Sequence, residues 1–103
     1  MYVQLLRFEW DQTKNETDKR KHGFDFETAQ LIFDDPFCFT FVERLSDGEE
    51  RSHAIGSIEK IMVLVVVHTY WEEGSDEVIR IISAHRATGR ERKLYAQAIG
   101  EKA

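Results

Sequence analysis

The stretch Ile61 to Tyr70, IMVLVVVHTY, constrains the fold more than any other part of the chain. Its branched side chains are stiff and favour extended backbone, and it lacks the polar alternation of a strand with one wet face. A run of this kind is expected at the centre of a sheet covered on both faces. Its longest unbroken apolar part, Ile61 to Val67, is seven residues, far short of the ~20 that a membrane-spanning helix needs. The other elements must therefore supply neighbouring strands on both sides and packing layers above and below. The chain has 103 residues, 42% of them hydrophobic and 32% charged. This suits one core and one domain over residues 1–103. Cys38 is the only cysteine, so no internal disulfide can form and a reducing cytoplasm is the expected setting. The opening MYVQLLRFEW lacks the basic start and apolar stretch of a secretory leader.

Tyr2 to Trp10 reads as a short first strand, after which Asp11 and Gly23 bracket a helix as N-cap and C-terminal stop. That helix, QTKNETDKRKH, carries no large apolar side chain. It has no stripe to bury and is expected to be solvent-facing decoration or a binding surface, supported by pairs such as Lys14 with Asp18. Asp25 caps a second helix in which Phe26, Ala29, Ile32 and Phe33 form an inward stripe until Asp34-Asp35-Pro36 ends it. Phe37 to Leu45 and Glu50 to Ile55 flank the hairpin signal Asp47-Gly48, and Gly56-Ser57 is expected to turn the chain into the central strand. Gly74-Ser75-Asp76 turns it again into a last strand, Val78 to Arg86. Thr88-Gly89-Arg90-Glu91 then has the form of a capping box that opens a final helix. Leu94, Tyr95, Ala98 and Ile99 face inward on that helix and Arg90, Arg92 and Lys93 face outward. The order β-α-α-β-β-β-β-α with tight turns between strands predicts an α+β fold on an antiparallel β-sheet, with two N-terminal helices and one C-terminal helix.

Charge is unevenly placed. Residues 14–22 carry a net +2 and residues 80–93 a net +4, which leaves −11 for the rest of a chain whose total is −5. The segregation fits either a basic patch set in an acidic molecule or two solvated helix faces. The −11 remainder argues against general binding to a polyanion. The histidines His22, His53, His68 and His85 fall on different elements, and with Cys38 alone no metal-binding spacing can be written. No cofactor motif is present.

Alternation along the last strand places Arg80, Ile82, Ala84 and Arg86 on one side and Ile81, Ser83 and His85 on the other, while Arg51 shares a strand face with His53. Arg80 and Arg86 either line an anion-facing part of the sheet, where a planar fork suits phosphate, or form surface pairs with the many carboxylates. His22, at a helix C-terminus, is either a general acid or base or a cap for the last carbonyls. His68 reads as a satisfied core histidine, and Trp10 and Tyr95 as core or boundary rings.

Taken in order, FEWD (Phe8–Asp11), Lys14, KHG (Lys21–Gly23), Phe26 to Ala29, DDP (Asp34–Pro36), Glu50-Arg51 with Gly56, and Arg80 to Arg92 resemble the BrnT toxins of bacterial BrnT/BrnA type II toxin–antitoxin systems. The resemblance spans nearly the whole chain. It implies a RelE-like ribonuclease fold that cleaves RNA without metal or other cofactor and so inhibits translation. It also implies a BrnA-like antitoxin with a ribbon-helix-helix DNA-binding half, so that DNA is met only through the antitoxin. A homodimer or a toxin–antitoxin heterotetramer in the cytoplasm, with no membrane contact, is the assembly implied. The site region it points to comprises His22, Arg51, Arg80, His85 and Arg86 as catalytic candidates. Lys14, Lys21, Arg90 and Arg92 are the RNA-binding candidates. His85 stands where the family motif usually supplies arginine, Asp18 where Asn is usual, and Lys19 where an apolar residue is usual. The alternative is an interaction domain that keeps antitoxin or RNA binding with weakened or no catalysis.

Overall fold

A computed structural model describes residues 5–102, so Tyr2 to Gln4 of the expected first strand lie outside the described residues. The chain forms β1 (Leu6–Trp10), α1 (Gln12–His22), α2 (Phe26–Ala29) continued by a 3₁₀ turn (Gln30–Asp34), β2 (Phe39–Arg44), β3 (Glu50–Ile58), β4 (Met62–Glu73), β5 (Asp76–Arg86) and α3 (Gly89–Lys102). This is the α+β order that the sequence predicts. The five strands form one sheet in the order β1-β5-β4-β3-β2, so the Val-rich β4 lies in its middle. Strands β2 to β5 make an antiparallel meander. β1 departs from the antiparallel expectation and lies parallel beside β5, with Leu6 to Trp10 matched to Glu77 to Ile81. The meander would otherwise leave the outer edge of β5 unpaired, and the N-terminal strand covers part of it.

Two apolar layers cover the sheet. Phe24, Phe26, Ala29 and Ile32 pack on Ala54, Leu64, Val66, Ile79, Ile81 and Ala84. On the opposite face Tyr95 and Ile99 of α3, with Phe37 and Phe39, cover Ile55, Val63 and Val65. Full burial of a side chain such as Phe26 or Ile32 contributes roughly 1.5–3 kcal/mol. Leu94 differs from the expected inward stripe and is left largely outside.

The expected turn at Gly56-Ser57 is not there. β3 runs through both residues to Ile58, and the chain reverses at Glu59 and Lys60, which adopt φ of 53° and 62°. Gly56 answers to packing instead: a Cβ there would lie 2.9 Å from both Cβ and O of Ile32. The 3₁₀ turn crosses β3 at that point because the side chain is missing.

α1 adds a third outcome to the two expected of it. It docks through polar residues, with Asn15 and Asp18 only 5% and 4% exposed. Asn15 Oδ1 accepts from Phe26 N at 2.8 Å, and Asp18 Oδ2 accepts from Ala84 N at 3.1 Å. β1 ends at the level of Ile81, so Asp18 takes over as acceptor for the continuing edge of β5. Buried donors left without such a partner would cost about 1–3 kcal/mol each.

Candidate functional site

β5 carries a bulge that changes which side chains share a face. Ile81 pairs with His68 and Ser83 with Val67, which leaves Ile82 without a partner. The simple alternation expected along the strand therefore fails between Ile81 and Ser83. Arg80, opposite Thr69, comes to the same face as His85, opposite Val65. Ala84 and Arg86 take the other face, contrary to the predicted grouping of Arg80 with both. Bulges re-aim side chains in this way. Arg51, two residues from His53 and hence on the face of Val67, shares the Arg80–His85 face from β3.

α1 ends where β5 ends. The ring centroids of His22 and His85 are 6.4 Å apart, and His22 lies 6.4 Å from the ring of Phe24. The last turn of α1 brings Lys19, Arg20 and Lys21 to this point. The β5–α3 junction carries the exposed Arg90 and Arg92, while Arg86 takes the other face of β5. Arg92 Nη1 also reaches the carbonyl of Ala87 at 3.5 Å. One histidine from each of the two basic segments thus meets the other here.

Glu91 completes this cluster. Its Oε1 and Oε2 stand 3.1 and 3.3 Å from His85 Nε2. Oε1 also accepts from Thr88 N at 2.9 Å, while Glu91 N donates to Thr88 Oγ1 at 3.2 Å, the capping box read in the sequence. Partial burial pushes the Glu91 carboxyl up, but hydrogen bonds from Thr88 and His85 outweigh it and hold the group below its ordinary value. Glu91 was legible only as a cap. Its contact with His85 depends on how sharply the chain turns at Ala87, and no sequence signal carries that angle.

The other candidates are dispersed. Arg80 Nη1 binds Glu9 Oε1 at 3.0 Å across the β1–β5 pair, and with Lys14, Thr13 and Thr17 it lines a shallow cavity of about 390 Å³. Lys14 Nζ lies 3.7 Å from Asp18 Oδ1. Arg51 is in register with Glu43 of β2, two strands from β5 and away from the histidine pair. Arg86 lies on the face opposite His85. His53 stacks on Phe41 with centroids 5.0 Å apart and stands 3.6 Å from Glu43. His68 is buried, with Nδ1 3.2 Å from Val66 O and its ring edge-on to Phe33. Trp10 packs edge-on to Phe26. Among the described residues no group of three His, Cys, Asp or Glu side chains is placed to hold a metal ion, and no helix is long and apolar enough to cross a membrane.

A five-stranded sheet flanked by a polar N-terminal helix and one C-terminal helix, with two imidazoles paired where α1 and β5 end, defines a small α+β protein. Residues 10–91 match the family described as the ribonuclease toxin BrnT of type II toxin–antitoxin systems. The chain belongs to the BrnT toxin family. A solved structure, the Brucella abortus ribonuclease toxin BrnT at 1.1 Å resolution, is similar to it with a TM-score of 0.55 and 24% identity. That match covers 84% of this chain and 99% of the Brucella protein, and it shows a shared fold. No curated protein matches the chain. Membership in a type II toxin–antitoxin family implies an antitoxin as partner.

Proposed function

We propose that this protein is an endoribonuclease toxin whose site lies at the junction of α1, β5 and the start of α3. The observation that carries this reading is the meeting of one histidine from each of two basic segments, distant in sequence, in the His22–His85 pair with ring centroids 6.4 Å apart. Two imidazoles at that spacing can flank a phosphodiester. One takes the proton of the ribose 2′-hydroxyl as its oxygen attacks phosphorus, and the other gives a proton to the departing 5′-oxygen. The products are a 2′,3′-cyclic phosphate and a 5′-hydroxyl. Each proton transfer is worth about 10²- to 10⁴-fold.

Arg90, Arg92 and Lys21 bind the RNA backbone around the pair, Arg86 adds charge from the other face of β5, and Lys14 and Arg80 continue the track along α1 and β5. Guanidinium groups suit this because they stay charged and can hold two phosphate oxygens at once. Arg51 contributes from the same sheet face. RNA cutting in the cytoplasm arrests translation until a BrnA-like antitoxin covers the site, and DNA is reached through that antitoxin.

Purified protein is expected to cut RNA, with His22→Ala and His85→Ala each lowering the rate about 10²- to 10⁴-fold. Expression without antitoxin should stop growth, and Arg80→Ala should relieve the arrest. One observation favours a second reading, a partner-binding domain without cleavage: Arg80 is already engaged by Glu9, and His85 by Glu91. RNA left intact by the wild type, together with normal growth, would select that second reading.

A further inference from the structure

We infer that Glu91 is a positioning residue for His85, fixing which ring nitrogen faces the RNA. The inference rests on the nuclease reading above. An N-terminal helix cap needs one carboxylate oxygen, yet here both oxygens lie within hydrogen-bond reach of an imidazole from the preceding strand, at 3.1 and 3.3 Å. The carboxylate is not free to swing away. Thr88 holds it through a bond to Oε1 of 2.9 Å and holds its backbone through a bond of 3.2 Å. The pair is sheltered, with side-chain exposures of 31% for His85 and 20% for Glu91.

An ionised carboxylate only accepts hydrogen bonds, so Nε2 of His85 carries the proton and Nδ1 keeps its lone pair. Glu91 from α3 and His22 from α1 face this ring, and the apolar Val65 is the register partner of His85 on β4. Nδ1 is therefore the proton acceptor. The proton of the 2′-hydroxyl passes to Nδ1, the bond from O2′ to phosphorus forms, the bond from phosphorus to O5′ breaks, and O5′ leaves with a proton from the His22 imidazolium. The arrangement follows the logic in which a carboxylate sets the tautomer and orientation of a catalytic imidazole without itself moving a proton.

The test pairs nitrogen-detected NMR of the His85 ring with single-turnover cutting of RNA. The wild type is expected to show the Nε2–H form. Glu91→Ala should lose that bias and cut about 10- to 100-fold more slowly, as outer-shell partners of a catalytic imidazole do. Glu91→Gln, whose amide oxygen can still accept from Thr88 and from Nε2, should restore the tautomer and cut within a few-fold of wild type. Thr88→Ala removes only the hydroxyl of the cap. It should lower the melting temperature by about 4–8 °C, while the Thr88 backbone amide still donates to Oε1 and so keeps the Nε2–H form. An Nδ1–H ring in the wild type, or a tautomer ratio unmoved by Glu91→Ala, would overturn the inference. If the wild type cuts no RNA, the nuclease reading fails by itself, and the ring spectra still decide whether Glu91 sets the tautomer.

Discussion

Glu91 and Tyr95 lie four residues apart on α3, and each ties the helix to a polar partner, but the two networks close differently. Tyr95 reaches Asp35, and Asp35 Oδ2 also accepts from Ser57 N at 2.8 Å and Ser57 Oγ at 3.1 Å, while Oδ1 accepts from Phe37 N at 2.9 Å. The Tyr95 and Ser57 oxygens are themselves 3.0 Å apart. Burial pushes the Asp35 carboxyl up and is outweighed by these hydrogen bonds, so the group titrates below its ordinary value. Burial and the bond to Asp35 raise Tyr95. The clasp lies beside a cavity of about 770 Å³ lined by apolar residues such as Leu31, Phe37 and Ile99 and by the charged Glu59 and Lys60. Around Glu91 the hydrogen bonds engage only one nitrogen of His85, Nε2. One network uses its acceptors to hold α3 to the sheet, and the other joins α3 to an imidazole that lies against a second one, His22.

The largest effect expected of this contrast falls on the clasp. Asp35→Ala strips the carboxylate from two backbone donors and two hydroxyls, and should destabilise the fold by about 3 kcal/mol. Thermal unfolding should show a melting temperature lower by more than about 10 °C, while RNA cutting well below that temperature stays near wild type. A cutting defect as deep as that of His85→Ala would erase the distinction between the two regions. Tyr95→Phe is the finer probe, because it removes one hydroxyl and keeps the ring. It should cost about 1 kcal/mol in urea unfolding and leave the histidine pair untouched.

The sequence made some of this contrast readable and hid the rest for definite reasons. The polar α1 with its Asp11 and Gly23 ends and the Thr88–Glu91 box are local signals that appear where the residues place them, and the Val-rich β4 is central as expected but runs Met62–Glu73 with Ile61 and Tyr70 exposed. The site depends on geometry that local pattern cannot carry. The bulge at Ile82 shifts Arg80 to the His85 face by inserting one residue, and nothing in VIRIISAHR marks where the extra residue goes. Gly56 looks like a turn residue but is required by the crossing of the 3₁₀ turn. Asp18 and Asn15 look like surface polars on a helix with no apolar stripe, yet both are buried acceptors for distant backbone donors. Polar docking of this kind leaves no periodicity to detect.

The smallest expected effect concerns pH and separates the core from both networks. His68, 4% exposed, has its pKa lowered by burial, with the Val66 carbonyl opposing and His53 adding to the shift. In the unfolded chain an imidazole titrates near 6.5. The folded state binds the proton less readily than the unfolded state, so this contribution to stability is complete above about pH 6.5 and is lost as pH falls toward the folded value. Asp35 and Glu91 shift in the same direction, but their unfolded references lie near pH 4, so their losses begin at lower pH. Urea unfolding at pH 7.5 and pH 5.5 therefore isolates histidines from carboxylates, and His68→Leu isolates His68 from the other three. The variant should lose less stability than wild type on acidification across that interval. An acid-induced loss identical in the two proteins would mean that His68 takes up its proton as readily in the core as in the unfolded chain. The boundary drawn here between a dry central strand and a titratable edge would then have to move inward.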